Sequence, residues 1–409
     1  MNGKKLLTLL LSALLVLSLL AGCGSNDAAV PSNSASPSNS ASPSDSPVNT
    51  SASDNTTASP DTSSSGADST QTQTSSPEPS QEAPSTIKFT DSVGREVEVP
   101  ANITRVSPSG SLAQMFLIAI ASDLLVTTSG EYTADELIYL PQNIPGLPVV
   151  GQFYGTDNLN IESIAAIGPE IVIDVGEPKK TIVEDMDSIT TNLAIPAVHI
   201  TAALDSAPEA FRQLGELLGR EEKGEQLALF CEKILTQTAD IMTKVGDNKK
   251  TVLYCLGDAG LNVLAATSFH SEVLDYITDN LAVVDEPSSR GSGNETDHEQ
   301  LMVWDPEVIL FAPDSAYGDA GADPTWKQMQ AIASGEYYEV PYGPYNWMGS
   351  PPAINRYLGM LWLTKLLYPD YAQFDLYETV TEYYSLFYGH TLTQAEFDTL
   401  MKNSLTPVQ

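Results

Sequence analysis

The chain has 409 residues and a formal charge of −34, from 53 acidic against 19 basic side chains. That length can fill two sizeable cores, and an acid excess of this size excludes nucleic acid as a partner, because a phosphate backbone would be repelled. An acidic, exported protein fits instead. Residues 1–5 carry two lysines, residues 6–20 are apolar apart from Ser and Thr, and small residues follow at Ala21 and Gly22. The run is shorter than the ~20 residues that span a bilayer, so it predicts a signal peptide over residues 1–22 and not a membrane helix.

Leu20-Ala21-Gly22-Cys23 resembles the bacterial lipoprotein cleavage box, which implies a lipidated Cys23 and a membrane anchor. An ordinary secretory signal with a cysteine close by is the alternative. Residues 23–86 are almost wholly Ser, Pro, Thr, Asn, Ala and Asp, too poor in large apolar side chains to fold alone, and they predict a disordered tether or a glycosylated stalk. Anchor and tether together suggest the extracytoplasmic face of a Gram-positive-type cell membrane. The other two cysteines, Cys231 and Cys255, have no metal spacing and are expected as buried small hydrophobes, with a disulfide in an oxidising compartment as the alternative.

The folded part begins with an Asp-to-Gly hairpin over residues 87–100. Strands are then expected at 104–106, 124–127, 149–150, 171–174 and 197–200, with helices at 111–120, 160–167 and 181–189. The loops 107–110 and 151–155 gather at strand ends, where open α/β sheets bind ligands. Ser206 and Glu209 stand at capping-box spacing, with Pro208 in the first turn, and open a helix that stops at Gly219. A longer one follows. Leu227, Cys231, Ile234, Ile241 and Val245 recur every three or four residues before the stop at Gly246, and some 25 residues span about 37 Å, enough for a strut between two lobes. The α/β pattern then restarts: a strand at 251–256, a helix at 271–277, the Gly/Ser loop 288–294, a strand at 308–311, a helix near Trp326, the aromatic loop 341–352, an amphipathic helix at 353–367 and two closing helices, the last capped by Thr393 with Glu396.

A repeat flanks the strut. Residues 160–173 and 297–310 each read as a short capped helix with a Glu in its first turn (Glu162, Glu299), a Pro-Glu break and an apolar strand. These boundaries give an N-terminal α/β lobe over 87–219, a connecting helix over 220–246 and a C-terminal α/β lobe over 247–409, with a cleft between the lobes.

No local enzyme signature is present: no G-x-S-x-G, P-loop, H-E-x-x-H or dinucleotide fingerprint. His199, His270, His298 and His390 are far apart in sequence, so no metal site is expected. Tyr342, Tyr345 and Trp347, in a loop stiffened by prolines, can wall a ring-bearing ligand or simply pack. Arg290 and Arg356 are conspicuous in so acidic a chain. Each can hold a ligand carboxylate bidentately or sit in a structural ion pair.

The segments 90–95, 160–173 and 298–310, with the long helix, make the region from Ile87 onward similar to the substrate-binding proteins of ABC importers for ferric siderophores, haem and cobalamin. The resemblance implies an α/β fold of two lobes joined by one rigid helix, no catalysis and no cofactor, a monomer, and partnership with an ABC permease and its ATPase subunits. It implies that Glu162 and Glu299 dock onto permease arginines. A metal chelate is the expected small-molecule ligand, held by Ser109, Phe153, Tyr154, His270, Arg290, Tyr345, Trp347 and Arg356. Ferric carboxylate siderophores are often met by several arginines, and their scarcity in the C-terminal half leaves haem, a corrinoid or an oxyanion such as molybdate open; a surface interaction module or a metal-dependent enzyme remain as other classes.

Overall fold

The computed structural model describes residues 85–154 and 158–405. The signal segment, Cys23 and the tether up to residue 84 lie outside the described residues. An antiparallel hairpin, Thr86–Thr90 with Glu96–Pro100, turns its buried Phe89, Val97 and Val99 inward. Its turn is built by Asp91, whose carboxylate accepts from the N–H groups of Val93 (3.2 Å) and Arg95 (2.9 Å), with Gly94 at φ +81° where a side chain would be strained. The Ser92 N–H then docks this turn on the His199 carbonyl at 3.0 Å.

Three parallel strands, Val106–Pro108, Ile171–Gly176 and Ala197–Thr201, form the sheet of the N-terminal lobe in that order. They are buried almost throughout, as continuous apolar runs in parallel sheets must be. The strand expected at 124–127 reduces to a single bridge, Val106 to Leu125, after a short 3-10 turn at Ser122–Leu124. In the C-terminal lobe Tyr337–Glu339, Val308–Phe311 and Thr251–Leu256 run parallel, and Asn262–Val263 and Asn294–Glu295 extend the sheet antiparallel. Among the described residues no helix is long and apolar enough to cross a membrane.

The strut is the helix Glu221–Val245. It crosses the Ala207–Leu218 helix so closely that a Cβ on Gly224 would meet the Phe211 carbonyl oxygen at 2.5 Å, which explains a glycine in a helix interior. The expected cap by Ser206 is absent. Ser206 is itself near helical (φ −99°, ψ −6°), and its hydroxyl accepts from the Ala203 N–H at 2.8 Å instead. At the other end of the chain the Thr393–Glu396 capping box forms as expected.

A second brace accompanies the strut. Phe116 and Phe211 of the N-terminal lobe, Phe230 of the strut, and Tyr383 and Phe387 of the helix Leu376–Tyr388 pack ring on ring, with centroids 4.0 to 5.8 Å apart. One continuous apolar core therefore runs through both lobes. The helix expected as amphipathic, Arg356–Leu367, is buried at every position from Arg356 to Thr364, because the strut and the Leu376–Tyr388 helix enclose it. Cys231 and Cys255 are buried and unpaired, and burial pushes both thiols up.

Candidate functional site

The N-terminal wall of the cleft is the edge where the three parallel strands end. Buried Asp174 accepts from the Ser109 hydroxyl and faces His199 Nδ1 at 2.6 Å, while His199 Nε2 lies 3.2 Å from the Thr201 hydroxyl. Ser109 follows directly on the first strand, Asp174 lies in the second and His199 and Thr201 in the third, so the polar chain crosses the whole sheet. It explains why an Asp and a His interrupt apolar runs: each is the partner the other needs in order to be buried. Beside it the Phe153 N–H donates to the Ser109 carbonyl at 2.8 Å, and the half-buried rings of Phe153 and Tyr154 meet edge to face at 5.0 Å. Tyr154 donates its hydroxyl to Asp185 at 2.7 Å, an acceptor it shares with Thr181. Burial and then the Asp185 carboxylate hold the Tyr154 phenol far above its usual range, so its hydroxyl stays a neutral donor.

On the C-terminal lobe, His270 pins three loops. Its Nδ1 is 2.7 Å from the Gly349 carbonyl and its Nε2 is 3.2 Å from that of Ser289. Ser350 completes the knot by donating to the Gly291 carbonyl at 3.0 Å. Half-buried Phe269 lies under the Arg356 guanidinium at 5.2 Å. Arg290 is exposed on the same Gly/Ser loop. Among the six arginines of the described residues, its guanidinium is the one without a hydrogen-bond or ion-pair partner.

Two ties hold the lobes together beside this edge. In one, Glu272 pairs with buried Arg356 and accepts from the Leu204 N–H at 3.3 Å, while Tyr357 donates to the Leu204 carbonyl at 2.7 Å. In the other, the Tyr132 and Tyr345 hydroxyls meet at 2.6 Å, and Tyr342 reaches Glu136. Burial raises the phenol of Tyr345 well above its ordinary range and that of Tyr132 to about 12, so this tie stays neutral.

The residues expected at the ligand thus separate. Phe153, Tyr154, His270 and Arg290 lie half-buried or exposed in the loops at the cleft edges, whereas Ser109 is buried with its hydroxyl given to Asp174. Trp347 does not lie there, since it is 0 % exposed in the core with Nε1 turned to the Gly343 carbonyl at 3.5 Å. Arg356 is spent on Glu272, and Tyr345 on the tie to Tyr132. Asp174, Glu272 and Tyr132 were not picked out in the sequence. A charge inside a buried apolar run is the signal for Asp174, whereas nothing in the sequence marks Glu272 or Tyr132.

Away from the cleft the two repeat units match in detail. Asn160 and Asp297 cap their helices, accepting from the N–H groups of Ser163 (2.9 Å) and Gln300 (2.8 Å), and Glu162 and Glu299 stand exposed in the first turns. The Pro-Glu pair has its own structural role. Glu170 accepts from the N–H groups of Thr104 (2.6 Å) and Arg105 (3.1 Å), and Glu307 from the Thr251 N–H (3.0 Å) and the Lys250 ammonium (2.6 Å), so each clamps the start of its lobe's first strand.

A family model described as periplasmic binding protein matches residues 130–342. Among solved structures, the chain is similar to an ABC transporter solute binding protein from Sulfurospirillum deleyianum, with 26% identity and a TM-score of 0.71 over 77% of this chain and 99% of that one. A periplasmic solute binding protein from Veillonella parvula follows at 22% identity and a TM-score of 0.66, over 78% and 98% of the two chains. A molybdate periplasmic binding protein from Haemophilus influenzae, bound to molybdate, has 18% identity and a TM-score of 0.61, over 75% and 99%. No curated protein matches.

Proposed function

Because the chain belongs to the periplasmic binding protein family and is the extracytoplasmic solute-binding protein of an ABC transporter, we propose that its cargo is a metal chelate with an anionic face, a ferric siderophore or haem before a corrinoid. The observation that carries this reading is Arg290: in a chain of net charge −34 one arginine is left exposed and unpaired, on the loop that His270 holds through the Ser289 carbonyl, while the N-terminal lobe offers the half-buried rings of Phe153 and Tyr154. Desolvating a guanidinium without a partner is costly, so an anionic group that completes its fork is the natural ligand. The aromatic faces suit the organic body of a chelator. Cysteine-anchored delivery to a permease and its ATPase subunits, with Glu162 and Glu299 as the docking acids, belongs to the same reading.

The test is calorimetric titration of the full chain with ferric hydroxamate and catecholate siderophores, haemin, cobalamin and molybdate. One chelate should bind saturably, and Arg290→Ala should weaken it roughly 10- to 100-fold, the worth of a charge-assisted hydrogen bond. Saturable binding of molybdate alone would replace the chelate by an oxyanion, the reading favoured by the fold shared with the Haemophilus influenzae protein. Silence across the panel would defeat both.

A further inference from the structure

The two docking helices are not equivalent, and the difference lies one turn after each acid. In the helix His298–Trp304, Val303 is 77% exposed and follows Glu299 at i, i+4, so the two share one face. The matching residue of the helix Ile161–Ile167 is Ala166, also exposed, four residues after Glu162. Nothing local calls for a valine here. A β-branched residue is a poor choice for a solvated helix position, and Leu301, fully buried, already anchors this helix to its lobe. Val303 is the most exposed of the large hydrophobic side chains among the described residues. It stands beside an acid without an ion-pair partner, on a segment that also presents Glu295 and Asp297.

We infer that the helix His298–Trp304 is the anchoring half of the docking surface, with Val303 seated in an apolar pocket of the permease next to the cation that receives Glu299, while the Glu162 helix makes a charge contact without such an anchor. The inference rests on the docking role proposed above. The occupant it requires is a basic surface with an apolar recess, which complements an acid-flanked valine. Buried side chains at the centre of an interface carry most of its energy, and rim charges act chiefly on encounter.

The experiment is binding of the ligand-loaded full chain to its cognate permease–ATPase complex in nanodiscs, read by biolayer interferometry. Val303→Ser should weaken binding about tenfold through faster dissociation, Val303→Ile should retain it, and Ala166→Ser should change it less than about twofold. Ligand affinity and circular dichroism should stay unchanged in all three, which separates docking from misfolding. Loss of binding in Glu162→Lys and Glu299→Lys with no effect of Val303→Ser would overturn the anchor and leave the docking acids standing. If the lysine variants also bind normally, the docking reading itself fails. A wild-type chain that is dimeric by light scattering and a monomeric Val303→Ser variant would assign the valine to a contact between copies and refute the proposal.

Discussion

The two lobes agree at the repeat units and diverge at the cleft. Glu170 and Glu307 make the same clamp on the first strand of their lobes, and Asn160 and Asp297 make the same cap. The cleft edges share nothing of this kind: one is a side-chain chain, Ser109–Asp174–His199–Thr201, and the other is a histidine holding backbone carbonyls. Even within the repeat the tertiary setting decides details. Gly168 ends the first helix at φ +68°, the usual left-handed stop, whereas Asp305 ends the second at φ +39° and uses its carboxylate to accept from the Gln330 N–H at 2.8 Å, at the start of the helix Gln330–Ser334. A lobe can repeat its framework because helix-on-sheet packing is the same problem twice. Its binding edge answers to a ligand, which meets each lobe from a different side.

The contrast can be broken from the cleft side first. Glu272→Ala strands the buried Arg356 guanidinium and opens the tie to Leu204, and it should cost about 3–5 kcal/mol in urea unfolding, the range for removing one partner of a buried pair. Burial already pulls Arg356 below its ordinary value against the pull of Glu272, so the loss falls on a group with nowhere to shed its charge. Asp174→Ala leaves Ser109 and His199 without their acceptor and should cost roughly 2–3 kcal/mol, with ligand affinity falling as the sheet edge loosens. A loss confined to affinity, with the unfolding midpoint unmoved, would make Asp174 a ligand group and not a scaffold.

The framework side should give the smallest effect and a pH signature. Burial works to raise the Glu307 carboxyl, but the Lys250 ammonium and the Thr251 N–H outweigh it and hold the group below the usual glutamate range. A depressed carboxyl contributes stability above its unfolded value, near 4.3, and loses it as the pH falls through the folded one. Glu307→Gln should therefore cost about 1 kcal/mol at neutral pH, discounted for partial exposure, and close to nothing near pH 3. A pH-independent difference would show that the clamp works by shape and not by charge.

Much of this architecture was legible in the residues. Apolar periodicity marked the strut, alternation about Asp91 and Gly94 marked the hairpin, and the repeated Pro-Glu marked two lobes, because each of these is a local demand of backbone geometry met by nearby side chains. The candidate site was legible in its loops and less so in its residues. Trp347 and Arg290 are both scarce residue types in loops, and only the packing around them separates a core ring from an open guanidinium. Arg356 found Glu272, 84 residues away, and Tyr345 found Tyr132, 213 residues away.

Sequence by itself determined the hairpin, the long helix and the two helix-strand repeats that flank it, and which acids stand at the start of the paired helices, though the strand expected at 124–127 is only a single bridge. Tertiary structure alone decided which polar side chains are consumed in holding the lobes together and which remain for a ligand. The reason is physical: a helix or strand is selected by neighbours within a few residues, whereas the fate of a charge depends on whichever distant groups share its burial.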